Sequence, residues 1–166
     1  MFSFLLTTIL VYFFGGFLGY WVHWIFHQSW SGPMYRLHKT HHDKMYPPQD
    51  YLSEVYRDAG SHNTAPWFAA IIMGVMLPLF FGLWHFGVSS WLVFTAIFES
   101  LIIGFMTDWI HSSLHIRGHI LERFRVFRVW RTAHWVHHSN VNFNLGIYSF
   151  GWDKTFGTWK KPHVLR

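Results

Sequence analysis

Long apolar segments separate the polar parts of this chain. Residues 1–35 contain no Asp, Glu, Lys or Arg, and neither do residues 59–98. An α-helix rises about 1.5 Å per residue, so about 20 residues cross the roughly 30 Å hydrocarbon core of a bilayer. The first segment therefore predicts one membrane-spanning helix, and the second is long enough for two. The predicted spans are 2–26, 66–83 and 91–110.

The composition supports a membrane protein. The chain is 51% hydrophobic and 22% aromatic, and its 13% of charged residues is about half the roughly 25% of soluble domains. We therefore expect an all-α integral membrane protein with about three transmembrane helices, forming a single domain over 1–166. There is no cysteine, so any metal must be held by nitrogen and oxygen. No basic stripe lies outside the segments that flank the membrane, and no nucleic-acid partner is expected.

Histidines are concentrated in four clusters, two at the ends of predicted spans and two in the polar segments that follow those spans. Two clusters are H-x-x-x-H pairs and two are H-x-x-H-H runs, whose imidazoles share one face of a helix. Two such runs are expected by chance in fewer than roughly one chain in a hundred of this composition. Imidazole nitrogen suits zinc, copper and iron, so each run is predicted to supply half of a metal site. The predicted ligands are His23, His27, His38, His41, His42, His111, His115, His134, His137 and His138.

Three spans place the four clusters on one side of the membrane, together with all 13 Lys and Arg residues. The positive-inside rule makes that side cytoplasmic and the N-terminus external. We expect a multi-pass protein of the bacterial inner membrane or the endoplasmic reticulum, with its metal site on the cytoplasmic face.

The number of histidines indicates which metal chemistry to expect. Ten imidazoles divided between two ions give about five nitrogens each, with an open position for oxygen or water. Structural zinc prefers four ligands in a closed tetrahedron, so the surplus favours two iron ions, although zinc can replace iron in purified protein. An open iron pair suits activation of dioxygen and attack on a C–H bond of a lipid.

Other polar residues near the clusters are open to two interpretations. Asp108 shares a helical face with His111 and His115, so it either accepts the free N–H of a ligand or only marks the exit from the membrane. His62 is either an extra ligand or a loop histidine. Glu99 is the only acid well inside a span, and we expect it to be neutral and bonded to another helix. No catalytic group beyond the metal ligands is predicted.

The order of the four clusters, followed by W-D-K-x-F-G-T at 152–158, resembles the fatty acid hydroxylase/sterol desaturase superfamily. The resemblance covers nearly the whole chain and implies a helical cap that holds two iron ions beneath the spans. It implies that the ten clustered histidines are the ligands. It also implies that dioxygen and two electrons are consumed to hydroxylate or desaturate a lipid, such as a fatty acyl chain or a sterol.

The chain departs from that family in three respects. It is short, with three predicted spans where four are usual. Trp24 follows the first clustered histidine where arginine is common, and no b-type cytochrome domain is fused to these residues. The short length is also reminiscent of carotenoid ring hydroxylases, which use the same chemistry, and a non-catalytic membrane metal-binding protein is a further alternative.

The source of electrons is expected to be a separate protein. Nothing in the sequence resembles a flavin, haem or iron–sulfur site, and cysteine is absent. The predicted donor is a ferredoxin, or a b-type cytochrome with its reductase. Its predicted docking surface is the arginine group Arg123, Arg125, Arg128 and Arg131.

Overall fold

The computed structural model describes residues 2–58 and 65–162, and most of these residues are helical. Within them the only strand-like pairing is an isolated bridge between Ser53 and Ile116. The α-helices are α1 (Phe2–Phe26), α2 (Pro33–Thr40), α3 (Ala65–His85), α4 (Ser90–Leu114), α5 (Arg125–Ser139) and α6 (Gly151–Thr155).

Helices α1, α3 and α4 are each long and apolar enough to cross a membrane, which confirms the three predicted spans. Helix α4 continues four residues beyond the predicted end, to Leu114. This extra turn places His111 within the helix and His115 at its C-cap. The third histidine cluster is therefore attached rigidly to a spanning helix.

The three spanning helices pack around a small apolar core. Helix α1 contacts both α3 and α4. The core contains Val11, Met76, Phe80 and Ala96. Outward side chains such as Phe105, which is 71% exposed, face the layer that lipid would occupy and need no burial there.

Glu99 lies on α4 and accepts a hydrogen bond from the Thr8 hydroxyl of α1 at 2.7 Å. This is the expected bond to another helix, since a carboxyl group within a bilayer needs a polar partner. Glu99 therefore joins two spans, far along α4 from the histidines.

The polar parts of the chain cover one end of these helices. After α1, Gly32 adopts a left-handed φ of 64° and reverses the chain into α2, which begins with Pro33. The segment 46–58 is attached to the end of α4, because Ser53 N–H donates to the His115 carbonyl at 2.9 Å. After α5, the chain folds back onto α1, where the Trp152 indole donates to the Phe13 carbonyl at 3.0 Å.

Candidate metal centre

The structure brings the predicted ligands together in two compact groups of imidazoles. The ligand nitrogens within each group lie within 4.8 Å of one another. Group one consists of His23, His27, His38, His42 and His137, and group two consists of His41, His115, His134 and His138. The tenth predicted ligand, His111, borders group two, with its ring centroid 4.8 Å from that of His134.

Each H-x-x-H-H run is divided between the two groups. His38 and His42 of the first run join group one, whereas His41 joins group two. The second run does the reverse, because His134 and His138 join group two and His137 joins group one. The prediction that one run supplies half of a single site is therefore wrong.

Helical geometry explains this division. An α-helix turns about 100° per residue, so side chains four apart diverge by about 40°. The side chain three residues after the first histidine lies about 60° away from it in the opposite direction. Each group consequently receives an i, i+4 pair from one run and a single imidazole from the other.

The first run passes from α2 into a π-helical turn, His41–Met45. The turn is closed by Tyr46 N–H, which donates to the His41 carbonyl at 2.9 Å. Isolated π-turns are rare and occur frequently at functional sites. Here the wider turn brings the Tyr46 carbonyl to His138, whose Nδ1–H donates to it at 2.8 Å.

The nitrogen spacing in group one fits a bound cation. His38 Nε2 lies 3.0 Å from Nε2 of His23, 3.1 Å from that of His27 and 3.2 Å from that of His42. A neutral imidazole nitrogen has either one hydrogen or one lone pair, so hydrogen bonds alone cannot satisfy all three contacts. Two nitrogens that each lie about 2.1 Å from one ion, with a right angle between the two metal–nitrogen bonds, are about 3.0 Å apart. The spacing therefore suits an ion with more than four ligands.

Group two shows the same need for a cation. Nε2 atoms of His41, His111 and His138 are buried, and none has a hydrogen-bond partner among the described residues. Unpaired buried polar atoms are rare in folded proteins, and an ion held by group two would satisfy those of His41 and His138, beside which His111 lies.

Electrostatics keep these rings in the form that binds metal. Burial, reinforced by neighbouring imidazoles, holds the pKa of His41 and His134 well below the usual range. Burial also lowers the pKa of His138 to about 3. The rings are therefore neutral at pH 7, and no proton competes for the ligand lone pairs.

Hydrogen bonds at Nδ1 fix which nitrogen faces each group. A carbonyl or carboxylate oxygen only accepts, so the bonded Nδ1 carries the hydrogen and Nε2 keeps its lone pair. The acceptors are Leu145 O for His23 (2.6 Å), Phe143 O for His137 (2.8 Å), Tyr51 O for His115 (3.2 Å) and Asp58 Oδ2 for His41 (2.9 Å).

Asp58 is the carboxylate that pairs with a clustered histidine, and sequence reasoning missed it. It lies in an irregular segment 17 residues after His41, where no helical period indicates a contact. Burial, and then the charge of Asp108, raise the pKa of Asp58 to about 6, so it is mostly ionised at pH 7. Asp108 itself forms no hydrogen bond to a histidine among the described residues, and its predicted role remains untested. His62 lies outside the described residues.

A cavity of about 370 Å³ lies among the three spanning helices and reaches group one and His111. Its walls are mostly apolar, and it ends at His23 and His38 of group one and at His111 beside group two. Leu101 and Phe105 line it and are also exposed on the outer surface of the bundle. These two residues therefore place one wall of the cavity at the surface that faces the layer that lipid would occupy.

The family model described as "Fatty acid hydroxylase" matches residues 8–158, a range that includes both histidine groups and the 152–158 segment. No curated protein and no solved structure matches the chain.

Proposed function

This chain belongs to the fatty acid hydroxylase family, and from that premise we propose that it is a membrane-bound non-haem di-iron oxygenase. It would hydroxylate or desaturate a lipid, such as a fatty acyl chain or a sterol, using dioxygen and two electrons. The observation that carries this proposal is the apolar cavity that ends at His23, His38 and His111. The proposed metal chemistry and an apolar cavity of ligand size would thereby meet in one place.

The two groups of imidazoles would each bind one metal ion. Group one would hold one ion through five imidazoles, and group two, together with His111, would hold the other. Iron bound there supplies the activation of dioxygen that attack on an unactivated C–H bond requires. The buried rings exclude water and keep Nε2 unprotonated, while the cavity wall aligns the lipid with the histidines.

We propose that the metal centre faces the cytoplasm. The ends of α1 and α4 and the start of α3 lie at the end of the bundle that carries the histidine groups. All 13 Lys and Arg residues fall in the segments that the three spans place on this side, and the positive-inside rule supports a cytoplasmic location.

The proposed function is tested by expressing the chain in a host that lacks a related enzyme and comparing lipids with and without it, under ¹⁸O₂. Hydroxylation would add one labelled oxygen, whereas desaturation would remove two hydrogens without label. Detection of a carotenoid with a hydroxylated ring would instead favour the alternative of a carotenoid ring hydroxylase. Absence of any oxidised lipid from cells whose protein is fully loaded with iron would instead support a non-catalytic metal-binding protein.

We further propose that a separate ferredoxin or b-type cytochrome delivers the electrons. Two of the four predicted docking arginines are engaged with their own chain. Arg131 bonds Glu122 and the Ser113 and Ile116 carbonyls. Arg128 donates to the Glu122 carbonyl at 2.7 Å. Of the four predicted arginines, Arg123 and Arg125 are exposed and their side chains form no described hydrogen bond, so these two could steer an acidic donor.

Replacing Arg123 and Arg125 together by Gln should lower donor-supported turnover several-fold at low ionic strength, since steering is electrostatic. Turnover with a small chemical reductant should be nearly unchanged. The comparison variant Arg131→Gln should lower both rates, because that side chain joins α5 to the end of α4. Equal turnover by the double variant and the parent with a protein donor would exclude this docking surface.

A further inference from the structure

Asp153, in the W-D-K-x-F-G-T segment, is fully buried and holds a loop that precedes it. Its carboxylate accepts hydrogen bonds from Leu145 N–H at 2.7 Å and Gly146 N–H at 2.8 Å. The Thr158 hydroxyl donates to the same carboxylate at 2.9 Å. Two adjacent backbone N–H groups are thus fixed by one planar group.

The loop that Asp153 holds also orients group one. The Leu145 carbonyl accepts the His23 Nδ1–H at 2.6 Å, so this one residue is bonded to Asp153 through its N–H and to His23 through its carbonyl. Two residues earlier, the Phe143 carbonyl accepts the His137 Nδ1–H at 2.8 Å. Two of the five imidazoles in group one therefore take their orientation from this loop.

The backbone conformation of this loop restricts which residues can occupy positions 144 and 146. Asn144 adopts a left-handed φ of 53°, and its side-chain amide donates to the Ala133 and Lys160 carbonyls at 3.1 and 3.0 Å. A Cβ at Gly146 would meet the Ser149 carbonyl oxygen, and would come within 2.8 Å of Asp153 Oδ2. Close approach to the carboxylate therefore requires glycine at 146.

Group two takes its orientation from another part of the chain. Its acceptors are the Tyr46 and Tyr51 carbonyls and the Asp58 carboxylate, all within 46–58. No described hydrogen bond joins Asp153 or its loop to a histidine of group two. The two groups can therefore be perturbed separately.

We propose that Asp153 is a positioning residue for group one alone, acting on His23 through the Leu145 carbonyl. This role rests on the proposed metal occupancy of both groups. Loss of the carboxylate would free the loop and leave His23 without a fixed tautomer. Partners that orient ligand histidines typically contribute about 10- to 100-fold to metal affinity, and we expect an effect near the lower value because Asp153 acts through a carbonyl.

The test measures Co²⁺ affinity and the Co²⁺ absorption spectrum of the full-length chain in detergent, in two backgrounds. His134→Ala with His138→Ala disables group two, and His38→Ala with His42→Ala disables group one. In the first background only group one can bind, and there Asp153→Asn should weaken Co²⁺ binding about 10-fold and change the spectrum. In the second background only group two can bind, and there Asp153→Asn should change neither the Co²⁺ affinity nor the spectrum. Asp58→Asn should produce the opposite pattern.

Each other outcome has a defined meaning. Equal weakening by Asp153→Asn in both backgrounds, or no weakening in either, would overturn the positioning role. A parent chain that binds fewer than two Co²⁺ ions would instead contradict the proposed two-metal function. If Asp153→Asn does not fold, Thr158→Val removes only one bond to the carboxylate and should show the same selectivity with a smaller effect.

Discussion

Replacement of His41 or of His137 by alanine is expected to abolish lipid oxidation, with a loss of at least about 100-fold, while membrane insertion is retained. His41 is the single imidazole that the first run contributes to group two, and His137 is the single imidazole that the second run contributes to group one. Both side chains are fully buried, so alanine leaves a gap that no other described histidine fills. His41→Ala should weaken the ion of group two, and His137→Ala that of group one.

The measurement is metal per folded chain by inductively coupled plasma analysis, together with turnover. We expect two ions in the parent and a reduced content in each variant, lowest when both changes are combined. His85→Ala is the matched control, because His85 is exposed at the opposite end of α3 and should keep both ions and full turnover. One ion or none in the well-folded parent would contradict the two-metal interpretation.

Gly104→Leu is expected to lower turnover of a long-chain lipid by about 10- to 100-fold without loss of metal. Gly104 lines both the main cavity and a smaller one of about 30 Å³ beside it. An added Cβ would meet no heavy atom within 4 Å, so a side chain at this position begins in open space, and we expect leucine to extend into the cavity. Position 104 precedes His111 by seven residues, or about 10 Å along the helix. A leucine there should block deep insertion of a chain and spare shorter substrates.

Gly74→Leu provides the matched control for this change. Gly74 lies on α3, its added Cβ also meets no heavy atom within 4 Å, and it does not line the cavity. Turnover of both long and short substrates should therefore stay near the parent value. Full long-chain turnover by Gly104→Leu would mean that the substrate does not occupy the cavity, and would remove the observation on which the proposed function chiefly depends.

The sequence alone was sufficient for the membrane architecture. A helix inside a bilayer satisfies its own backbone hydrogen bonds, so a long stretch without charge already determines a span. This is why α1 ends at the predicted residue and α3 and α4 lie where their segments predicted. The four histidine clusters were equally evident, because spacings of three and four residues bring side chains close together along one helix.

Only the tertiary structure decided how the clustered histidines are shared. Spacing along one helix separates His41 from His38 and His42, but it cannot tell which imidazoles of other helices lie opposite each of them. That His41 meets His115, His134 and His138 therefore depended on how the helices pack. The same holds for Asp58 and Leu145, which reach His41 and His23 from irregular segments distant in sequence. Such contacts follow from the folded path of the backbone and leave no periodic signal in the sequence.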